Sequence, residues 1–125
     1  MENVKFVFGK DFMEQWFACG LGLDERQELI DNILLYLTNA PDNNYGKKFP
    51  GAIIEGTGGA IKYRFTPENY QKGKSGSFRT IYFVYNPQEH HLFFLNVYPK
   101  SKKATLSTKE KNQIKKFINH FKEGK

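Results

Sequence analysis

A single cysteine, Cys19, is too few for an intramolecular disulfide and leaves no spacing that would seat a zinc ion. Apolar runs are short, and none approaches the roughly 20 residues that a membrane-crossing helix requires. The start, Met1-Glu2-Asn3-Val4-Lys5, has no basic region followed by a long apolar stretch, so no secretory leader is expected and the cytoplasm is the expected location. There is no internal repeat, heptad series or low-complexity tail. Acids are scarce in the later part of the chain. Residues 1–45 hold eight acids against three cations, residues 46–98 three against seven, and residues 99–125 two glutamates against nine lysines. A basic stretch with so few internal partners points to a nucleic-acid or ribosome-facing surface. A solvated helix face rich in lysine explains the C-terminal share equally well.

What the chain has in quantity is aromatic mass. Its 12 Phe and 7 Tyr help bring aromatics to 16%, enough to fill a core although 26% of residues are charged. At 125 residues it is read as one domain, 1–125. Val4 to Phe8 is β-rich and stops at Gly9, and residues 11–18 place Phe12, Trp16 and Phe17 near helical spacing. Asp24 is the candidate cap, with Gln27 reaching back, of a helix whose Leu29, Ile30, Ile33, Leu34 and Leu37 form one stripe before Pro41. Residues 41–60 are rich in Pro, Gly, Asn and Asp and read as loop with at most a short element. Strands follow at roughly 61–66, 78–86 and 91–98, with a hairpin turn at Asn86-Pro87-Gln88-Glu89. Ser107-Thr108-Lys109-Glu110 is a capping-box pattern opening a last helix with Ile114, Phe117, Ile118 and Phe121 at i, i+3, i+4 and i+7. The order β-α-α-β-β-β-α predicts an α+β fold: a small antiparallel-rich sheet with helices on one face, its first strand paired non-locally and its other face open.

Alternation sorts the strand side chains. Ile61, Tyr63 and Phe65 share one face, which leaves Lys62 and Arg64 on the other. Arg79 interrupts a segment, Phe78 to Phe83, otherwise fit for a sheet core, and a charge there is costly unless paired, hydrogen-bonded or aimed at an anion. Asn96 and Tyr98 are in phase, and Lys100 continues that phase past the strand end. Lys62, Arg64, Arg79 and Lys100 together can bind successive phosphates or stabilise a dianionic phosphorane without a metal. Crowded cations disfavour the charged form of a lysine among them, which makes Lys62 the candidate base toward a ribose 2′-hydroxyl. The alternative is ion pairing with Glu55, Glu68 or Glu89. Other motifs fail on spacing. Gly73-Lys74-Ser75 resembles the end of a phosphate loop, but the first glycine of that pattern would fall on Glu68. Gly56-Thr57-Gly58-Gly59 precedes a strand where a dinucleotide fingerprint needs a helix. His90, His91 and His120 have no acid or cysteine at ligand spacing, so no metal or cofactor is expected.

The series Gly58-Gly59-Ala60-Ile61-Lys62-Tyr63-Arg64, Gly73-Lys74-Ser75-Gly76-Ser77-Phe78-Arg79-Thr80-Ile81-Tyr82, Leu95-Asn96-Val97-Tyr98-Pro99-Lys100 and Leu106-Ser107-Thr108-Lys109-Glu110 resembles the RelE/HigB toxins of bacterial type II toxin–antitoxin modules. The likeness covers about residues 20–120 and is closest to the HigB-like branch. It implies a microbial RNase-like toxin fold that enters the ribosomal A site and cuts mRNA there through the 2′-hydroxyl. It also implies a cognate antitoxin, expected to be a helix-turn-helix DNA-binding protein. Carried over by position, Arg79 would stabilise the scissile phosphate, Lys62 and Arg64 match the basic pair of the preceding strand, and Lys100 would neutralise the transition state or protonate the leaving oxygen. Lys74, Tyr98, Lys102 and Lys103 are implied RNA contacts. Ala104-Thr105-Leu106 stands where some members carry a stacking tyrosine or an acid/base histidine, and Tyr98 is the substitute platform. The related ParE branch shares the fold yet poisons DNA gyrase, and a non-catalytic basic RNA- or ribosome-binding module is the third alternative.

Overall fold

The computed structural model describes residues 4–39, 49–68, 77–86, 91–102 and 105–123. In chain order the elements are β1 (Lys5–Phe8), α1 (Lys10–Ala18), α2 (Leu23–Asn39), β2 (Ala52–Ile53), β3 (Ile61–Phe65), β4 (Phe78–Asn86), β5 (His91–Pro99) and α3 (Thr108–Glu123). The strands form one sheet of order β1-β5-β4-β3-β2. It is antiparallel except that β1 runs parallel to β5, with Phe8 beside Phe94. The α+β class, the meander of β3, β4 and β5 and the non-local pairing of the first strand therefore hold. The expected loop contains the two-residue strand β2, while the turn expected at 86–89 lies, from Pro87 on, outside the described residues.

The placement of the helices departs from expectation. α1 and α2 bury Phe12, Trp16, Leu29 and Ile33 against one face of the sheet, where Tyr82 and Phe94 receive them. α3 packs on the opposite face, its Ile114 and Ile118 against Ala60, Ile81 and Phe83. The physical reason is the composition of β4 and β5, in which both faces of Ile81–Tyr85 and Leu92–Leu95 are apolar. A strand buried on both sides needs a layer on each. The aromatic centre is Phe94, whose ring lies 5.0 Å from Tyr82, 5.1 Å from Phe8 and 5.5 Å from Phe12, centroid to centroid.

Local signals set the helix starts. Ser107 N–H donates to Glu110 Oε1 at 2.8 Å and Glu110 N–H donates to Ser107 Oγ at 3.1 Å, the reciprocal capping box read from the sequence. For α2 the cap is Gly22, two residues earlier than Asp24. The carbonyl of Gly22 accepts from Arg26 N–H at 3.1 Å and Gly22 N–H donates to Glu25 Oε1 at 2.8 Å, while Gln27 bonds forward to Asp31. Before β3, Thr57 Oγ1 donates to the Ile54 carbonyl at 2.6 Å and accepts from Ala60 N–H at 3.0 Å, so the Gly56–Gly59 segment is a locked turn. Gly51 has φ +106°, and a Cβ there would sit 2.5 Å from the Lys62 carbonyl oxygen, so only glycine lets β2 approach β3.

One irregularity orders the site. Ile81 lies opposite Asn96 but Tyr82 lies opposite Phe94, which makes Leu95 an extra residue on β5. Phe94 faces α1 and α2, and without the bulge Asn96 and Tyr98 would follow it there. With it, Tyr98 packs on the α3 side.

Candidate nucleic-acid interface

Directly paired residues share a sheet face, and the register brings three predicted side chains into one row. Arg64 on β3 is opposite Arg79 on β4, and Arg79 is opposite Tyr98 on β5. Lys62 lies two residues from Arg64 on the same face, opposite Ile81, which puts it about 7–8 Å diagonally from Arg79. The face is that of α3, so the expected open sheet face is reduced to the part that α3 leaves uncovered, where Arg64 is exposed and Lys62 and Arg79 are half-buried. Lys100 follows β5, tied by its N–H to the Ser77 carbonyl at 3.0 Å, and its side chain is exposed.

Two arginines side by side on neighbouring strands repel each other. Among the described residues neither is in a salt bridge, and Nη1 of Arg79 is buried with no hydrogen-bond partner. The expected ion-pair alternatives do not answer this: Glu55 is exposed, Glu68 receives no arginine, and Glu89 is outside the described residues. A desolvated guanidinium nitrogen without an acceptor is a standing cost that an entering anion relieves. Tyr98 has its hydroxyl buried rather than raised as a free platform, and burial pushes its ionisation upward, opposed by Arg79 and reinforced by Glu110. The phenol therefore stays neutral beside the guanidinium.

The remaining candidates separate. Lys102 lies within electrostatic reach of Cys19 at the end of α1, and Cys19 packs against the α1/α2 core, whereas the row lies on the α3 face. Burial raises the Cys19 thiol, which suits a structural cysteine rather than a nucleophile. Lys74 and Lys103 lie outside the described residues, as does His90. The ring of His91 lies tilted against that of Tyr85, 5.2 Å between centroids, and His120 is exposed on α3. Among the described residues no cluster of His, Cys, Asp or Glu has the makings of a metal site.

Two residues that sequence reasoning passed over complete the region. Where β1 ends, Gln15 of α1 takes the place of a strand: its Oε1 accepts from Val97 N–H at 2.9 Å and from Asn96 Nδ2 at 3.4 Å. Glu110, legible only as a helix cap, reaches the surroundings of Tyr98. Both line a cavity of about 810 Å³ that opens between the start of α1, β5 and α3.

Residues 51–125, more than half of the chain, match the family described as the RelE toxin of the RelE/RelB toxin–antitoxin system. The matched stretch holds β2 to β5, α3 and every cation of the row. Among curated proteins nothing matches the chain. No helix among the described residues is long and apolar enough to cross a membrane.

Proposed function

Because the chain belongs to the RelE toxin family and is a toxin of a toxin–antitoxin system, we propose that it acts in the cytoplasm as a ribosome-dependent mRNA endonuclease of the HigB-like kind, held in check by a cognate antitoxin. The observation that carries this reading is the Arg64–Arg79–Tyr98 row, with a buried, unpartnered guanidinium nitrogen at its centre. In the reaction, Lys62 takes the proton of a ribose 2′-hydroxyl. That oxygen bonds to the adjacent phosphorus while the bond from phosphorus to the 5′-oxygen breaks, and Lys100 supplies the proton to the leaving oxygen. The products are a 2′,3′-cyclic phosphate and a 5′-hydroxyl end. Arg79 and Arg64 neutralise the equatorial oxygens as charge develops, which is where fixed cations contribute most. The cluster has no strong base, so the ribosome must hold the 2′-hydroxyl in line.

The test is expression without antitoxin followed by pulse labelling. Methionine incorporation stops first, and in a purified translation system mRNA is cut inside the A-site codon with little cutting of free RNA. Continued protein synthesis with collapsing DNA synthesis replaces this reading by gyrase inhibition. Arrested translation with intact mRNA replaces it by a non-catalytic ribosome-binding module.

A further inference from the structure

The cavity beside β5 differs in sign from the row next to it. Its charged lining is Asp11 and Glu110 against the single Lys10, and none of Lys62, Arg64, Arg79 or Lys100 takes part. Leu95 and Tyr98 form its floor, and α3 brings Gln113 and Phe117, the latter 40% exposed. Tyr98 is common to both sites, since it lies opposite Arg79 at the strand spacing of about 4.8 Å. A nucleotide whose phosphate rests at Arg79 therefore has its base within reach of the cavity.

We propose that this cavity is a nucleobase subsite that selects guanine next to the phosphate held at Arg79, a deepening that rests on the nuclease reading above. Phosphates are repelled by the carboxylates of Asp11 and Glu110 and stay on the row, whereas a base edge carrying donors is drawn in. The apolar and aromatic floor suits the face of any base. The acids rank the four. Guanine alone offers two adjacent donors on its pairing edge, N1–H and the N2 amino group, which a carboxylate accepts side by side. Adenine and cytosine set one amino donor beside an acceptor, and uracil sets one N–H between two carbonyls. Asp11 is exposed on the first turn of α1 and Gln113 is exposed on α3, so both can turn toward a ligand without disturbing the core.

The experiment uses the full chain and two single-stranded RNA tetramers that differ only in guanine against adenine. Both carry a 2′-deoxy sugar at the attacking position, so that binding is read without cleavage. Side-chain amide signals of Asn96 and Gln113 follow the titration. The guanine tetramer binds about tenfold more tightly, the discrimination of one good bidentate pair. Asp11→Asn and Gln113→Leu, made separately, each shrink that ratio, while Arg79→Ala weakens both tetramers alike. Equal binding of the two, or a ratio that survives both substitutions, overturns the proposal. So does a loss of antitoxin affinity in those variants with the ratio unchanged, which would make the cavity a protein-docking surface. A ribosomal cleavage assay keeps the two readings apart: guanine preference without any cutting sinks the nuclease alone, and cutting without guanine preference sinks the subsite alone.

Discussion

Arg79 stands between a like charge and a phenol, with one nitrogen sealed from solvent. Its removal therefore relieves a desolvation cost instead of breaking an ion pair. Arg79→Ala is expected to melt within about 1 kcal/mol of the parent chain and to lose toxicity, with cleavage down by about 10²–10³ if it supplies transition-state charge. Thermal melting and growth after induction check both halves. An unfolded variant would make Arg79 a structural cation, and a folded, fully toxic one would remove the centre of the proposed site. Tyr82 gives a second residue-scale expectation. Its hydroxyl donates to the Pro50 carbonyl at 2.6 Å, and burial, with Tyr63 and Tyr36 nearby, pushes its ionisation far above the ordinary tyrosine range. A raised value means that the contribution to stability is whole below about pH 10, where the unfolded tyrosine ionises, and falls away as pH rises beyond it. Tyrosinate absorbance from Tyr82 should thus appear only together with loss of near-ultraviolet dichroism. An alkaline midpoint unmoved by Tyr82→Phe would contradict this. The cations of the row were legible because strand alternation and scarce acids single them out. The roles of Gln15 and Glu110 were not, since both depend on a neighbouring element that approaches from far along the chain.

At the scale of elements, α3 rests on its cap and its stripe. Ser107→Ala is expected to cost about 1 kcal/mol, whereas Glu110→Gln keeps the reciprocal bonds and costs less. Chemical denaturation of the two variants decides, and equal losses would mean that the charge of Glu110, not its hydrogen bond, is what α3 needs. This cap was readable from four consecutive residues. The cap of α2 was not, because Gly22 offers no side chain to signal it and the visible Asp24 falls inside the helix. The layer to which α3 belongs was hidden for another reason: element order says nothing of which face a helix takes. The continuous apolar runs of β4 and β5, rather than clean alternation, were the available sign of burial on both faces. Gly51, whose backbone conformation brings β2 against Lys62, lay in a stretch that composition marks only as loop.

Across the whole molecule, charge is polarised, with a net −5 over residues 1–45 and +7 over residues 99–125. α3 carries much of the positive end, and Lys115 and Lys116 are exposed on it. Ribosome association should fall with salt, and Lys115→Ala should flatten the slope of log affinity against log salt by about 1 while leaving the cut positions unchanged. A changed cleavage pattern would place Lys115 in the site instead of on its approach. The antitoxin should answer the same field with acids over the row, so that its affinity also weakens with salt. A complex indifferent to salt, with Arg79 still accessible, points to inhibition by steric exclusion.

The additional residue at Leu95 has a genetic consequence. It decides which side of the sheet reads the remainder of β5, so the row depends on the count of codons between Phe94 and Asn96 as much as on their identity. Among cells that survive induction, in-frame gain of one codon there should recur as a complete inactivation, since with a single bulge retained it sets Val97 opposite Arg79 and turns Tyr98 toward α1 and α2, whereas loss of the Leu95 codon removes only the bulge and keeps Tyr98 opposite Arg79. Conservative missense changes at Leu95, which keep the count, should be nearly absent from the survivors.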